Sequence, residues 1–123
     1  QDALAAADIV VIATPGGADT HHLIDATALS AMQPHAIFIN IARGDVVNEA
    51  ALITALRTGV IAAAGLDVYE FEPAIPDALV AMENVTLLPH LGTAALEVRE
   101  AMGRMALDNV IAHAEARPLP NPV

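Results

Sequence analysis

Arg43, Glu72 and His90 are the residues of this 123-residue chain that could together anchor an acid and move a proton. Arg43 follows the apolar run Ile37-Phe38-Ile39-Asn40-Ile41-Ala42 and precedes Gly44. Such a run reads as a strand buried on both faces, and strands of that kind present their chemistry at their carboxyl ends. The planar guanidinium there offers donors that bind a carboxylate through two parallel hydrogen bonds; on its own it would more often only pair with a neighbouring acid. His90, flanked by Pro89 and Gly92, ends another apolar run. An imidazole so placed could pass a proton to a ligand, or it could cap the helix expected from about Thr93. Glu72 gains its meaning from His90, because a carboxylate bonded to an imidazole favours the imidazolium. His90, Glu72 and Arg43 would then serve as acid, base and anchor. Standing alone, Glu70 and Glu72 would read as a solvated acidic loop. Asp67 ends a third run, so it either accepts hydrogen bonds from the following turn or meets a polar ligand over the rim.

Other chemistries fit less well. The five histidines, His21, His22, His35, His90 and His113, match no paired-ligand spacing, and cysteine is absent, so no metal is expected. His113 suits the carboxyl end of a helix, where the dipole favours a cation. The sole serine, Ser30, falls inside an expected helix rather than on a sharp strand-to-helix turn. No G-x-G-x-x-G occurs; Gly16-Gly17 follows a strand but lacks the spacing, so phosphate binding through that device must come from outside this sequence.

The elements that must position these residues are aliphatic. Hydrophobic residues make up 55% of the chain and aromatic ones 2%, which suits helices lying close on a sheet in one α/β domain. The net charge of −10, with no lysine and only five arginines, argues against a nucleic-acid surface. Apolar runs are too short to span a bilayer and no basic segment leads into a signal peptide, so a cytoplasmic location is expected. Strands are expected at Ile9 to Ala13, Ala36 to Ala42, Val60 to Val68 and Val85 to Leu88. Between them, Asp25 should cap a helix to about Met32, Asn48 should cap a helix over Ala50 to Arg57 closed by Gly59, and a short turn of helix should lie near Asp77 to Met82. The longest helix, about Ala94 to Ala114, should bury a stripe of Val98, Met102, Met105 and Ile111. The tail from Arg117 is too rich in proline for helix or inner strand. Alternating strands and helices imply βαβ units and a parallel sheet, half of a doubly wound fold. The chain opens on a helix end and a strand that lacks a neighbour on one edge, which reads as a fragment.

Three blocks carry a resemblance. Asn40-Ile41-Ala42-Arg43-Gly44, then Gly65-Leu66-Asp67-Val68-Tyr69-Glu70-Phe71-Glu72-Pro73, then Leu88-Pro89-His90-Leu91-Gly92-Thr93 resemble the D-isomer-specific 2-hydroxyacid dehydrogenases in order, interval and strand-tip placement. Thr14-Pro15 and Thr20-His21-His22-Leu23-Ile24 look like that family's preceding strand and loop. The resemblance implies hydride transfer between a nicotinamide cofactor, NAD or NADP, and a small 2-oxo or D-2-hydroxy acid. It implies that Arg43 clamps the substrate, His90 donates the proton and Glu72 sustains its protonation. It also implies cofactor contacts from Thr14, Pro15, Ile41, Ala42, Arg43, Asp67, His90 and Gly92. The fold it implies is a partial Rossmann-like sheet within a two-domain enzyme: residues 1–115 would form the carboxyl-terminal half of a dinucleotide-binding domain, and 116–123 an extended tail returning toward a substrate domain. The full-length protein would be a homodimer, and the wording is closest to the glyoxylate and hydroxypyruvate reductases. Because the family's glycine-rich phosphate loop is absent here, no useful turnover is expected of the isolated chain. The rival reading is a nicotinamide-sensing corepressor of the same fold family; the intact Arg43, Glu72 and His90 set and the lack of a basic surface favour the enzyme.

Overall fold

The computed structural model describes residues 2–122. The chain divides into two compact units, residues 1–90 and 91–123. In the first, four short strands, β1 (Ile9–Ile12), β2 (Ile37–Asn40), β3 (Ala63–Leu66) and β4 (Val85–Leu87), form one parallel sheet in the order β1-β2-β3-β4. Helices α1 (Asp2–Ala6), α2 (Ala26–Ser30), α3 (Glu49–Thr58) and α4 (Asp77–Val80) alternate with the strands. The expected α/β class and parallel topology are therefore both present.

Local chemistry sets the helix ends. The Asp25 carboxylate accepts from the N–H of Ala28 at 2.8 Å and the Asn48 side-chain oxygen from that of Ala51 at 2.9 Å, so both expected caps are formed. Gly59 closes α3 in the left-handed region, φ 71°, with its own N–H on Leu56 O and the Val60 N–H on Ala55 O. Val60 thus belongs to the helix cap, which is why β3 starts only at Ala63 rather than at Val60 as expected.

The expectation of strands buried on both faces is not met. Along β1, Val10 and Ile12 are buried whereas Ile9 and Val11 are 57% and 50% exposed, and Ile37 in β2 is exposed as well. Consecutive right-handed crossovers put their helices on one side of a sheet. Accordingly Phe38, Ala64 and Leu66 share a core with Leu29 of α2 and Leu52, Ala55 and Leu56 of α3, while the alternate side chains of β1 point away from it.

The second unit contains α5 (Leu96–Ala114) and the tail. Val98, Met102, Met105 and Ile111 are all exposed, and only Ala112 of α5 is buried, so the expected apolar stripe is not a buried one. Exposed Leu107 and Val110 spread apolar surface beyond any single stripe. The tail is irregular, as its prolines require, and returns on α5: Asn109 Nδ2 donates to Asn121 Oδ1 at 3.2 Å, and the Asn121 N–H donates to Asn109 Oδ1 at 3.1 Å. No helix among the described residues is long and apolar enough to cross a membrane.

Phe38 is fully buried at the centre of the core. Phe38→Ala should cost about 3–5 kcal/mol of unfolding free energy and Asn48→Ala about 1 kcal/mol, both read from urea unfolding. A Phe38→Ala loss no larger than that of the cap variant would contradict this packing.

Candidate active site

Because the four strands are parallel, their carboxyl ends share one rim. Thr14 and Pro15 follow β1, Arg43 follows β2, Asp67 to Glu72 follow β3, and His90 follows β4. The turn after β2 is set by Asn40, a side chain 1% exposed whose Oδ1 accepts from the Ala42 N–H and whose Nδ2 donates to Arg43 O, each at 3.0 Å. A buried amide must be satisfied, and here its satisfaction fixes the backbone that carries Arg43.

Gly44 brings this turn against the next one. A Cβ on Gly44 would stand 1.9 Å from both the carbonyl carbon and oxygen of Tyr69 and 2.4 Å from the nitrogen of Glu70. Only a residue without a side chain lets the segment bearing Arg43 lie on the turn bearing Glu72. That turn is held from the other side by Tyr69, whose hydroxyl reaches Leu88 O at 2.8 Å, just before His90.

His90 Nδ1 donates to Glu72 Oε2 at 2.9 Å, while Glu72 Oε1 accepts from the Tyr69 N–H at 3.0 Å. The bond to His90 is the largest of several effects holding the Glu72 carboxyl below its ordinary 4.5; the Tyr69 N–H and the charges of His90 and Arg43 act in the same direction, and partial burial opposes them. His90 adopts the left-handed region, φ 55°, a conformation uncommon outside glycine. Helix α5 begins with Ala95 as its N-cap residue, which supplies no side-chain cap bond. None of the ion pairs among the described residues involves Arg43; its guanidinium donates to Ala42 O at 2.6 Å.

All the sequence candidates but Asp67 and Gly92 line one of two clefts that share Arg43. Thr14, Pro15, Ile41, Ala42 and Arg43 line one of ≈ 640 Å³ at the tips of β1 and β2. Arg43, Glu72 and His90 line a second, of ≈ 310 Å³, together with Tyr69 and Glu70. Arg43 borders both. Asp67, 9% exposed, bonds through its N–H to Asn40 O at 3.0 Å and lines neither cleft. Gly92 belongs to the second unit, in the turn that the Ala94 N–H closes on Leu91 O.

Glu70 is not the solvated acid that its loop alone suggested. Its Oε1 accepts from His22 Nε2 at 2.8 Å and its Oε2 from the Glu49 N–H at 3.1 Å. Burial alone would raise Glu70, but these two bonds and the charges of His22 and His21 leave it below 4.5. Glu49, buried beside it, is raised, first by burial and then by the charge of Glu70, against the Glu70 N–H bond that lowers it. Sequence reading missed Asn40, Glu49 and the His22–Glu70 pair as contributors to the site. A polar residue ending an apolar run was the one available sign, and it pointed to Asn40 alone.

Two outcomes test this arrangement. Gly44→Ala should destabilise the fold by about 1–3 kcal/mol or more through overpacking against the Tyr69 backbone, and an unchanged urea midpoint would contradict the close seat. Glu72 has a folded value below its unfolded one, so the stability it contributes is present above about pH 4.5 and is lost as pH falls through the lowered value. The difference in urea midpoint between the chain and Glu72→Gln should therefore narrow as pH falls below about 4.5; a difference that stays constant or widens in acid would contradict it.

Comparison with known proteins places the chain in a family. The family profile described as D-isomer specific 2-hydroxyacid dehydrogenase, NAD binding domain, matches residues 1–92. A glyoxylate reductase of Pyrococcus furiosus is 46% identical over 112 residues, covering 91% of this chain and 33% of that protein. Glyoxylate/hydroxypyruvate reductase B of Escherichia fergusonii is 51% identical over 107 residues, 86% of this chain and 33% of that one. Among solved structures, the NADPH-dependent glyoxylate/hydroxypyruvate reductase of Sinorhizobium meliloti, in complex with NADP and malonate, superposes with a TM-score of 0.96 at 43% identity, over 99% of this chain and 38% of that one. The chain thus spans about a third of the length of the curated relatives it matches, and none of these three is a corepressor. With that profile matching residues 1–92 of its 123, the chain belongs to the D-isomer specific 2-hydroxyacid dehydrogenase family.

Proposed function

We propose that this chain carries the proton-transfer and substrate-anchoring groups of an NAD- or NADP-dependent oxidoreductase acting on a small 2-oxo or D-2-hydroxy acid, of the glyoxylate or hydroxypyruvate type. The observation that carries the reading is the lining of one cleft by Arg43, Glu72 and His90, with His90 bonded to Glu72 at 2.9 Å. The ≈ 640 Å³ cleft beside it has the size and mixed lining of a cofactor site, with apolar Pro15, Ile41 and Ala42 and the polar Thr14 and Arg43. Those residues would hold part of the dinucleotide; Asp67 and Gly92 are further candidates from the family resemblance. When bound, the nicotinamide group supplies the hydride to C2 of the 2-oxo acid, or accepts it from the 2-hydroxy acid.

The chain's own groups do the remainder. Arg43, outside any ion pair among the described residues, has donors for the substrate carboxylate and carbonyl. With Nδ1 engaged by Glu72, the Nε2 of His90 is the nitrogen that gives a proton to the carbonyl oxygen on reduction and takes it back on oxidation. Glu72 orients the ring and offsets the imidazolium charge. Residues 1–115 are read as the carboxyl-terminal half of the dinucleotide-binding domain and 116–123 as its extended tail. The acidic charge of −10 supports a protein without nucleic-acid or membrane partners. A homodimer is proposed for the full-length protein on the family resemblance, and a cytoplasmic location as the default for a chain without an expected signal peptide.

In the full-length chain, His90→Ala should lower kcat for 2-oxo acid reduction by about 10²–10⁴-fold with cofactor binding retained. Arg43→Gln should chiefly raise KM for the acid. Unchanged reduction by the His90 variant would overturn the proposal.

A further inference from the structure

A second histidine–glutamate pair lies beside the first, on the same turn. Glu70 stands two residues before Glu72 and lines the same ≈ 310 Å³ cleft, yet its carboxylate is spent on protein partners. Oε1 accepts from His22, on the loop after β1, and Oε2 accepts from the Glu49 N–H at the start of α3. The Glu70 N–H returns to Glu49 Oε2 at 3.4 Å. One side chain therefore joins three segments that are distant in sequence.

The orientation of His22 follows from its neighbours. Asn48 Oδ1 is occupied by the Ala51 N–H, so its Nδ2 is the donor at 3.4 Å from His22 Nδ1. That puts the hydrogen of His22 on Nε2, aimed at Glu70 at 2.8 Å. His21 stacks on the ring at 3.9 Å between centroids. His22 has φ 51°, so both histidines that bond this turn adopt the left-handed backbone, as His90 does at 55°. The surroundings hold His22 in a conformation that its backbone does not favour, and what it holds in turn is Glu70.

We infer that Glu70, held by His22 and the α3 amino end, is a positioning residue that fixes the Tyr69–Glu72 turn and so sets the aim of Glu72 on His90. The inference rests on the proton-transfer role proposed above for His90. The turn has no regular secondary structure of its own: Tyr69 and Glu72 are tied to the segment after β4, and Glu70 to the start of α3 and the loop after β1. A carboxylate two residues from Glu72, bonded on both oxygens, removes the freedom through which Glu72 could rotate off the imidazole. Orientation of this kind matters to rate because a displacement on the order of 1 Å can cost about a hundredfold.

The test uses the full-length chain with Glu70→Ala, Glu70→Gln and His22→Ala. Glu70→Ala and His22→Ala should lower kcat by about ten- to a hundredfold while KM for the 2-oxo acid changes little. Glu70→Gln, which can still accept from the Glu49 N–H but turns an amide donor toward the Nε2 hydrogen of His22, should recover only part of that loss. The ring ¹⁵N–¹H spectrum, with His90 assigned by its Gln variant, gives a readout independent of turnover: the Nδ1 proton bonded to Glu72 should broaden or vanish in Glu70→Ala and persist in Glu70→Gln. If Glu70→Ala is too unstable to study, His22→Ala decides, since it leaves the Glu70–Glu49 bond in place. A folded Glu70→Ala or His22→Ala chain with the His90 signal and kcat of the parent would overturn the inference. Should the parent chain lack 2-oxo acid reduction, the function reading falls, while the His90 spectrum still decides the positioning claim.

Discussion

A hydrogen bond of 2.9 Å from His90 to Glu72 joins the tips of β4 and β3, and the rest of the site is arranged so that this bond can form. Both partners are partly exposed, with side chains 45% and 36% accessible, so the bond contributes little to stability. Its value is directional: it commits Nδ1 to the carboxylate, so that the proton transfer proposed for this residue falls to Nε2. Every neighbour that fixes Glu72 or His90 then matters through the angle of that bond rather than through its own energy. Gly44 belongs to this set, because its missing side chain is what allows the β2 turn to reach the Tyr69–Glu70 backbone.

The parallel sheet makes such convergence possible at low cost in chain length. Four strands of three or four residues each deliver their polar tips to one rim, and the helices between them supply the core on one face. Aliphatic packing around Phe38, Leu52 and Ile61 anchors the strand bases, so the rim loops can be irregular without being unconstrained. The constraint there comes from buried polar side chains: Asn40 under the Arg43 turn and Glu49 under the Glu70 turn. Division of labour between an apolar base and a hydrogen-bonded rim explains why small, apolar β-strands end so abruptly in charged residues.

Much of this was legible in the residues themselves. Asp25, Asn48 and Gly59 marked helix ends because capping is local chemistry, decided within four residues. Arg43 and His90 were legible because each ends an apolar run, Glu72 because a carboxylate gains meaning beside an imidazole, and the parallel topology implied by βαβ spacing puts such strand ends together. The His22–Glu70 bond was not, since 48 residues separate its partners and adjacent histidines suggest nothing so specific. One-sided burial of β1 was also misread: an apolar run records a tolerance for burial on both faces, not how many faces the neighbouring helices cover. The same limit applies to α5, whose apolar residues suggested a single packed stripe but stay exposed on several sides.

The central claim is that Glu72 and His90 act as one unit, and a double-mutant cycle on kcat in the full-length chain tests it most directly. The cycle compares Glu72→Gln, His90→Gln and the double variant. If the pair works through its shared bond, the double variant should lose no more than His90→Gln alone, because Glu72 has nothing left to orient. Losses that multiply, each residue acting as though the other were absent, would contradict the account.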